Sequence, residues 1–191
     1  MDDVEARRRV IEAADRLYYG NGIQAVGMDR LRTESGVSLK RLYSLFSSKE
    51  EIVLGVLSHR HQLWTQGLEA QVSQVGAPQD RVLAVYDYLA GWFTDDTFRG
   101  CGFINAFGEI GTAPSIAAAV REHKESFQRF MVGLVAQAGG SAELAGYLAL
   151  LAEGAQTTAA IAGSPDPARQ ARRAAQTLIS AELGDRTTVT V

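Results

Sequence analysis

Residues 31–52 read LRTESGVSLKRLYSLFSSKEEI, and this stretch decides the fold. It holds two short helical segments, from about Met28 to Ser35 and from about Ser38 to Leu45, parted by Gly36. A glycine suits such a junction because it enters backbone conformations that a side chain resists. Val37 can anchor the turn in a core. Leu42 and Phe46 stand at i and i+4, so they can hold the second segment against its neighbours. That leaves Leu39, Lys40, Arg41 and Tyr43 mainly outward. Two helices joined in this way make a helix-turn-helix, whose second helix fits a major groove about 12 Å wide.

Working outward, Val10, Ile11, Ala14, Leu17 and Tyr18 line one face of a preceding helix, which Gly20-Asn21-Gly22 ends. On the other side, Ser48 is a good N-cap, and Glu51 three positions later completes a capping-box pattern. The helix that follows carries Ile52, Val53, Val56, Leu57, Trp64 and Leu68 and runs to about residue 74. Pro78, Pro114 and the Pro165/Pro167 pair introduce further helices, since proline is tolerated in a first helical turn. Gly139-Gly140-Ser141 stops one helix and caps another. The expectation is an all-α chain of eight or nine helices. Only Thr187–Val191 has strand-like composition, and it reads as a frayed tail.

Apolar residues make up 46% of the 191 positions and charged residues 21%, which excludes disordered and fibrous classes. The lone cysteine, Cys101, excludes an internal disulfide framework and a Cys-rich zinc module. The opening MDDVEARRRV has no apolar h-region. No apolar run reaches the ~18 residues of a membrane span. A cytoplasmic protein without membrane contact is expected. The net charge of -3 argues against a uniformly basic coat, but its distribution matters more. Within residues 30–49, Arg30, Arg32, Lys40, Arg41 and Lys49 stand against Glu34 alone, a local +4. Such a patch fits a localised anionic partner or an ordinary solvated face.

The ordered series Gly36-Val37-Ser38, Leu42-Tyr43, Phe46 and Ser48-Lys49-Glu50-Glu51-Ile52, preceded by Ile11-Glu12-Ala13-Ala14 and Gly22, resembles the DNA-binding domain of the TetR (tetracycline-repressor) family of bacterial transcriptional regulators. The resemblance spans about residues 5–55. It implies a recognition helix at 38–44, with Leu39, Lys40 and Arg41 toward base edges and Tyr43 and Lys49 on phosphates. Arg30 joins this expected DNA-binding set. The chemistry agrees: a guanidinium can bind guanine O6 and N7 together, and Leu39 can meet a thymine methyl. For Tyr43, Lys49 and Leu39 the alternatives of packing, plain surface charge and partial burial stay open. Departures are Val26-Gly27 where a hydroxyl cap is frequent, Arg32 where alanine is frequent, and Lys40 and Leu45 in the recognition helix.

The resemblance divides the chain into a three-helix DNA-binding domain at 1–48 and an effector-binding and dimerisation domain at 49–191. Phe98–Glu109, FRGCGFINAFGE, looks like a segment of one large subgroup at the start of the sixth helix, where Cys101, Ile104, Asn105 and Gly108 would share a face. That helix would border the pocket and connect to the DNA-binding domain. Expected pocket residues are Trp64, Tyr86, Trp92, Cys101, Asn105, Phe127 and Met131, with plain core packing as the rival reading. They fit a small hydrophobic or aromatic effector. Glu109 could pair with Arg121, His123 or Lys124, or face solvent. The two final helices would form the homodimer surface through Leu148, Leu151, Ala155, Ala175, Leu178 and Ile179, although packing within one chain would give the same pattern.

The expected function is a regulator, a repressor, that binds a palindromic double-stranded DNA operator as a homodimer and is released by a small-molecule effector. The rival is a TetR-like helical protein that acts through protein contacts with weakened DNA binding. No nucleophile–base pattern or phosphate loop marks an enzyme, and no cofactor is expected. His59 and His61 lie two apart and point to different sides of a helix, which is poor metal-ligand spacing.

Overall fold

The first helix ends where its glycines place the stop. In the computed structural model, which describes residues 1–184, α1 runs Asp3–Asn21. Asp2 accepts the Glu5 amide at 2.8 Å to cap its start, and Gly22, at φ 88°, returns its N–H to the Tyr18 carbonyl. Helix α2 (Met28–Ser35) begins at Gly27 with no side-chain cap and ends on Gly36 at φ 66°. The hydroxyl cap missing at Val26-Gly27 is thus a gap in the structure too, and Val26 is buried instead. Helix α3 (Leu39–Leu45) is capped by Ser38, whose Oγ accepts the Arg41 amide at 3.3 Å. Val37, Leu42 and Phe46 are buried as their spacing requires.

The remaining helices are α4 (Lys49–Ser73), α5 (Pro78–Phe93), α6 (Gly102–Ile110), α7 (Pro114–Gln137), α8 (Ala142–Ala162) and α9 (Asp166–Gly184). Among the described residues there are nine helices and no strand. The tail read as fraying, Thr187–Val191, lies outside the described residues. The capping box at α4 is shifted by one position. Ser48 accepts the Glu51 amide at 3.1 Å, but the Glu51 carboxylate takes the amide of Ser47, at 2.6 Å, and its hydroxyl. Those bonds, with Arg7 nearby, hold the Glu51 carboxyl below its usual pKa.

Packing separates two compact units. The first comprises Met1–Leu63 and Cys101–His123. Its core joins Val10, Ala14 and Leu17 of α1 to Leu31, Leu42, Ile52 and Val56, with Phe103 and Ala106 from α6. The second comprises Trp64–Gly100 and the described residues from Lys124 on. There α5, α8 and α9 close on one another. Packing does not follow the 48/49 division, because the start of α4 and all of α6 join the N-terminal helices.

In the second unit the stripe expected at a dimer surface is interior. Leu148 and Ala175 are fully buried, Ile179 and Ala155 nearly so, and Leu151 and Leu178 are half-buried against the same core. The physical reason is that α8 is apolar nearly all round, so its alanine-rich face closes on α5 and α9 within the chain. Its other face leaves Tyr147, Leu150 and Ile161 at 48%, 68% and 84% exposure. Tyr86 and Met131 are likewise fully buried. The Tyr86 hydroxyl donates to the Leu148 carbonyl at 2.7 Å, and burial raises its pKa. Tyr86 thus belongs to this unit's core.

Candidate nucleic-acid interface

The residues that α3 turns outward form the site. Tyr43 is 59% exposed, which excludes its packing between helices. Lys40 is exposed, Leu39 is half-buried against the first unit's core, and Arg41 lies at the edge with an ion pair to Asp3 at the start of α1. Arg30, at the outer side of α2, donates to the Asn21 side chain at 3.1 Å. Arg32 does snorkel outward, with Asp29 3.7 Å away. Glu34, the one acid among residues 30–49, is taken up by Arg16 of α1 at 3.1 Å. The structure therefore brings Arg30, Leu39, Lys40, Arg41 and Tyr43 to the α2–α3 side.

Lys49 is arranged differently from its expected phosphate role. Its ammonium donates to the carbonyls of Ile23 and Val26 at 2.6 and 2.7 Å and lies 5.7 Å from the Tyr18 ring centre. Partial burial lowers its pKa, and the Glu109 carboxylate partly offsets this. Two of its three donors are committed to the backbone of the α1–α2 connection. The side chain serves as a tether because the turn after Gly22 leaves those carbonyls without helical partners.

Glu109 completes the same arrangement from α6, and sequence reasoning missed it. Its carboxylate accepts the amides of Ile23 and Gln24, each at 3.0 Å, and its carbonyl accepts the Gln24 side chain at 2.6 Å. Ile23 is thus held at both ends of its peptide, by Glu109 at the N–H and by Lys49 at the C=O. None of the partners expected for Glu109 is involved. No local pattern marks such a contact, since the partners lie more than 80 residues apart and are backbone groups.

The face assigned to α6 also shifts. Cys101 is the N-cap, buried but outside the helix, and the buried face is Phe103 and Ala106. Ile104, Asn105 and Gly108 point away from that core. Asn105 borders an open cleft of about 340 Å³, solvent included, with Tyr18, Arg60 and Glu109. Arg60 lies 3.7 Å over the Tyr19 ring and pairs with Asp15. Buried His123 stacks on Phe103, and its Nδ1 meets that of His61 at 3.0 Å, a contact between helices that spacing along one helix does not reveal. Among the described residues no three His, Cys, Asp or Glu side chains could hold a metal ion. No described helix is long and apolar enough to cross a membrane.

Of the expected pocket residues, five share the second unit's apolar cluster: Trp64, Tyr86, Trp92, Phe127 and Met131. Partly buried Trp64 is edge-on to Trp92 at 5.4 Å and to Phe127 at 5.9 Å, with Tyr88 also edge-on at 5.3 Å. Cys101 and Asn105 belong to the other unit.

The family model for bacterial regulatory proteins of the tetR family matches residues 10–56, from α1 into α4. The HTH-type transcriptional activator FasR of Mycolicibacterium smegmatis is 26% identical over 136 residues, 71% of this chain and 61% of that protein. The chain thus spans less than two thirds of that relative. A TetR-family transcriptional regulator from Streptomyces coelicolor superposes with a TM-score of 0.86 at 27% identity, over 94% of this chain and 90% of the other. A regulator from Saccharomonospora viridis, solved in complex with choline, shares the fold at a TM-score of 0.77 and 21% identity, over 89% and 94%. The helix-turn-helix match and the likeness along the whole length agree: residues 10–56 match the tetR family model, and the chain as a whole is similar to a TetR-family regulator.

Proposed function

We propose that the protein is a DNA-binding transcriptional repressor that sits on a palindromic operator as a homodimer and is released by a small hydrophobic or aromatic effector. The observation that carries this is α3 itself. A rigid turn at Gly36 and three buried anchors leave Lys40, Arg41 and Tyr43 outward on one short helix. Lys40 and Tyr43 suit phosphate oxygens, and Arg41 suits a guanine edge. The non-enzymatic character of the family agrees with a binding role. Repression needs only that the dimer occupy its operator.

The dimer seam best supported is the outward face of α8, Tyr147, Leu150 and Ile161, with half-buried Leu151 and Leu178 at its margin. Exposed aliphatic side chains on a helix otherwise packed by alanine mark a contact surface. A two-fold axis there makes a symmetric dimer, which suits a palindromic operator with one half-site for each α3. Leu150→Glu should give folded monomers by sedimentation. A dimer that persists would move the seam elsewhere.

The effector reading rests on the ring group around Trp64 and draws support from the neighbour crystallised with choline. A ligand acts only through its different affinities for the two states. The tether of Lys49 and Glu109 on residues 23–26 is where movement of α4 or α6 would reach the helix-turn-helix. The deciding experiment selects duplexes from a random-sequence library with the purified protein and measures binding to the enriched DNA. Arg41→Ala should cost about 1–3 kcal/mol there. No retarded band at low salt would overturn the DNA-binding reading and favour a role through protein contacts.

A further inference from the structure

The ion pair between Asp3 and Arg41 joins the first turn of α1 to the recognition helix, 38 residues away. It is an unusual place for a carboxylate. Asp3 is 66% exposed on the side where Arg41 is to meet an anionic partner, so its charge opposes any nearby phosphate. The helix does not need Asp3 as its cap, because Asp2 already takes the Glu5 amide. Most other cations of these helices are tied away from α3: Arg8 to Glu5 and Glu12, Arg7 toward Glu51, Arg16 to Glu34. Among the described residues, Arg41 is the cation that joins an acid to a base-reading position.

We infer that Asp3 is a specificity-determining residue that fixes the Arg41 guanidinium as a reader of a base edge and keeps it off the phosphate backbone. This rests on the proposed DNA-binding function. A guanidinium is a planar fork with five donors, so a carboxylate on Nη2 restrains its swing and leaves the remaining N–H groups to the groove. An unheld arginine can swing to a phosphate, the sequence-independent partner that dominates affinity. Asp3 disfavours that alternative twice, by engaging one nitrogen of the fork and by repelling phosphate. The consequence is lower affinity for DNA in general and sharper choice of one base pair.

The test uses the intact protein, the duplex enriched from a random library, that duplex with each base pair substituted in turn, and a random-sequence duplex. Asp3→Asn should bind random DNA several-fold more tightly. It should also lose about tenfold of discrimination at one base pair per half-site, the scale of one bidentate contact. Asp3→Glu should restore part of that discrimination. In an Arg41→Ala background, Asp3→Asn should leave the base-pair profile unchanged. Thermal melting of each variant confirms folding, which an exposed pair leaves nearly intact. Wild-type selectivity with an unaltered Asp3→Asn profile would overturn the inference alone. So would equal gains on enriched and random DNA in both backgrounds, since Asp3 would then act only as a charge. A wild type that binds no duplex would overturn the function and the inference together.

Discussion

The two compact units differ in how far polar groups join their helices. In the first, charged side chains hold backbone: Lys49 and Glu109 grip the connection at Ile23, and Arg60 and Asp15 form an ion pair at 19% and 18% exposure. In the second, charged groups hold backbone at helix ends, Glu182 on the Ser141 amide and Arg81 on the Val75 carbonyl, while α5, α8 and α9 meet chiefly through alanine and leucine, and the buried Tyr86 hydroxyl donates to a carbonyl of α8. The difference teaches where each unit can change. Apolar contacts lose energy in proportion to volume removed and have no alternative arrangement nearby. A polar tether between helices can be released and remade, at a cost of about one or two hydrogen bonds. The unit that carries the recognition helix is therefore the adjustable one.

The largest expected effect breaks the comparison on the rigid side. Leu148 is fully buried, and Leu148→Ala should cost about 2–5 kcal/mol in denaturant unfolding. The loss should not depend on protein concentration, because the side chain is filled by its own chain. A loss that shrinks as concentration rises would instead return Leu148 to the dimer surface, where the sequence pattern had placed it.

That misplacement shows what sequence pattern resolves. The helix-turn-helix was legible because its anchors differ in kind from its outward residues: Gly36 at a positive φ, Val37, Leu42 and Phe46 inside, Lys40 and Tyr43 outside. The helix count and the proline and glycine boundaries were legible for the same reason. On α8 the contrast vanishes. Leu148 and Leu150 are the same residue type on opposite faces, and one is core while the other is 68% exposed. The tether was illegible on different grounds. Lys49 looked like a phosphate contact because its partners are carbonyls, which carry no sequence signature, and Glu109 lies more than 80 residues from the amides it accepts.

A smaller effect tests the adjustable side. Glu109→Gln keeps the shape but sets an NH2 group against one of the two amides that the carboxylate accepts. The expected loss is about 1–2 kcal/mol. It should fall locally, as faster hydrogen exchange at Ile23 and Gln24, while amides of α8 and α9 keep their protection. Equal acceleration in both units would mean that the tether belongs to global stability, and the contrast between adjustable and rigid units would fail.

The smallest effect sharpens the contrast at a single helix end. Helix α8 begins with Ser141, which accepts the Leu144 amide at 3.1 Å, whereas α2 begins with Gly27 and no side-chain acceptor. Gly27 has the extended backbone of an N-cap, at φ -84° and ψ 167°, and a Cβ added there meets nothing within 4 Å. Gly27→Ser should therefore stabilise the first unit by a few tenths of a kcal/mol, the usual margin of serine over glycine at this position. Thermal unfolding should show that small gain. If a loosely started α2 serves the movement of the helix-turn-helix, the same variant should also need more effector for release from DNA. A gain in stability with unchanged release would confine the adjustment to the residue 23–26 tether and leave α2 a passive follower.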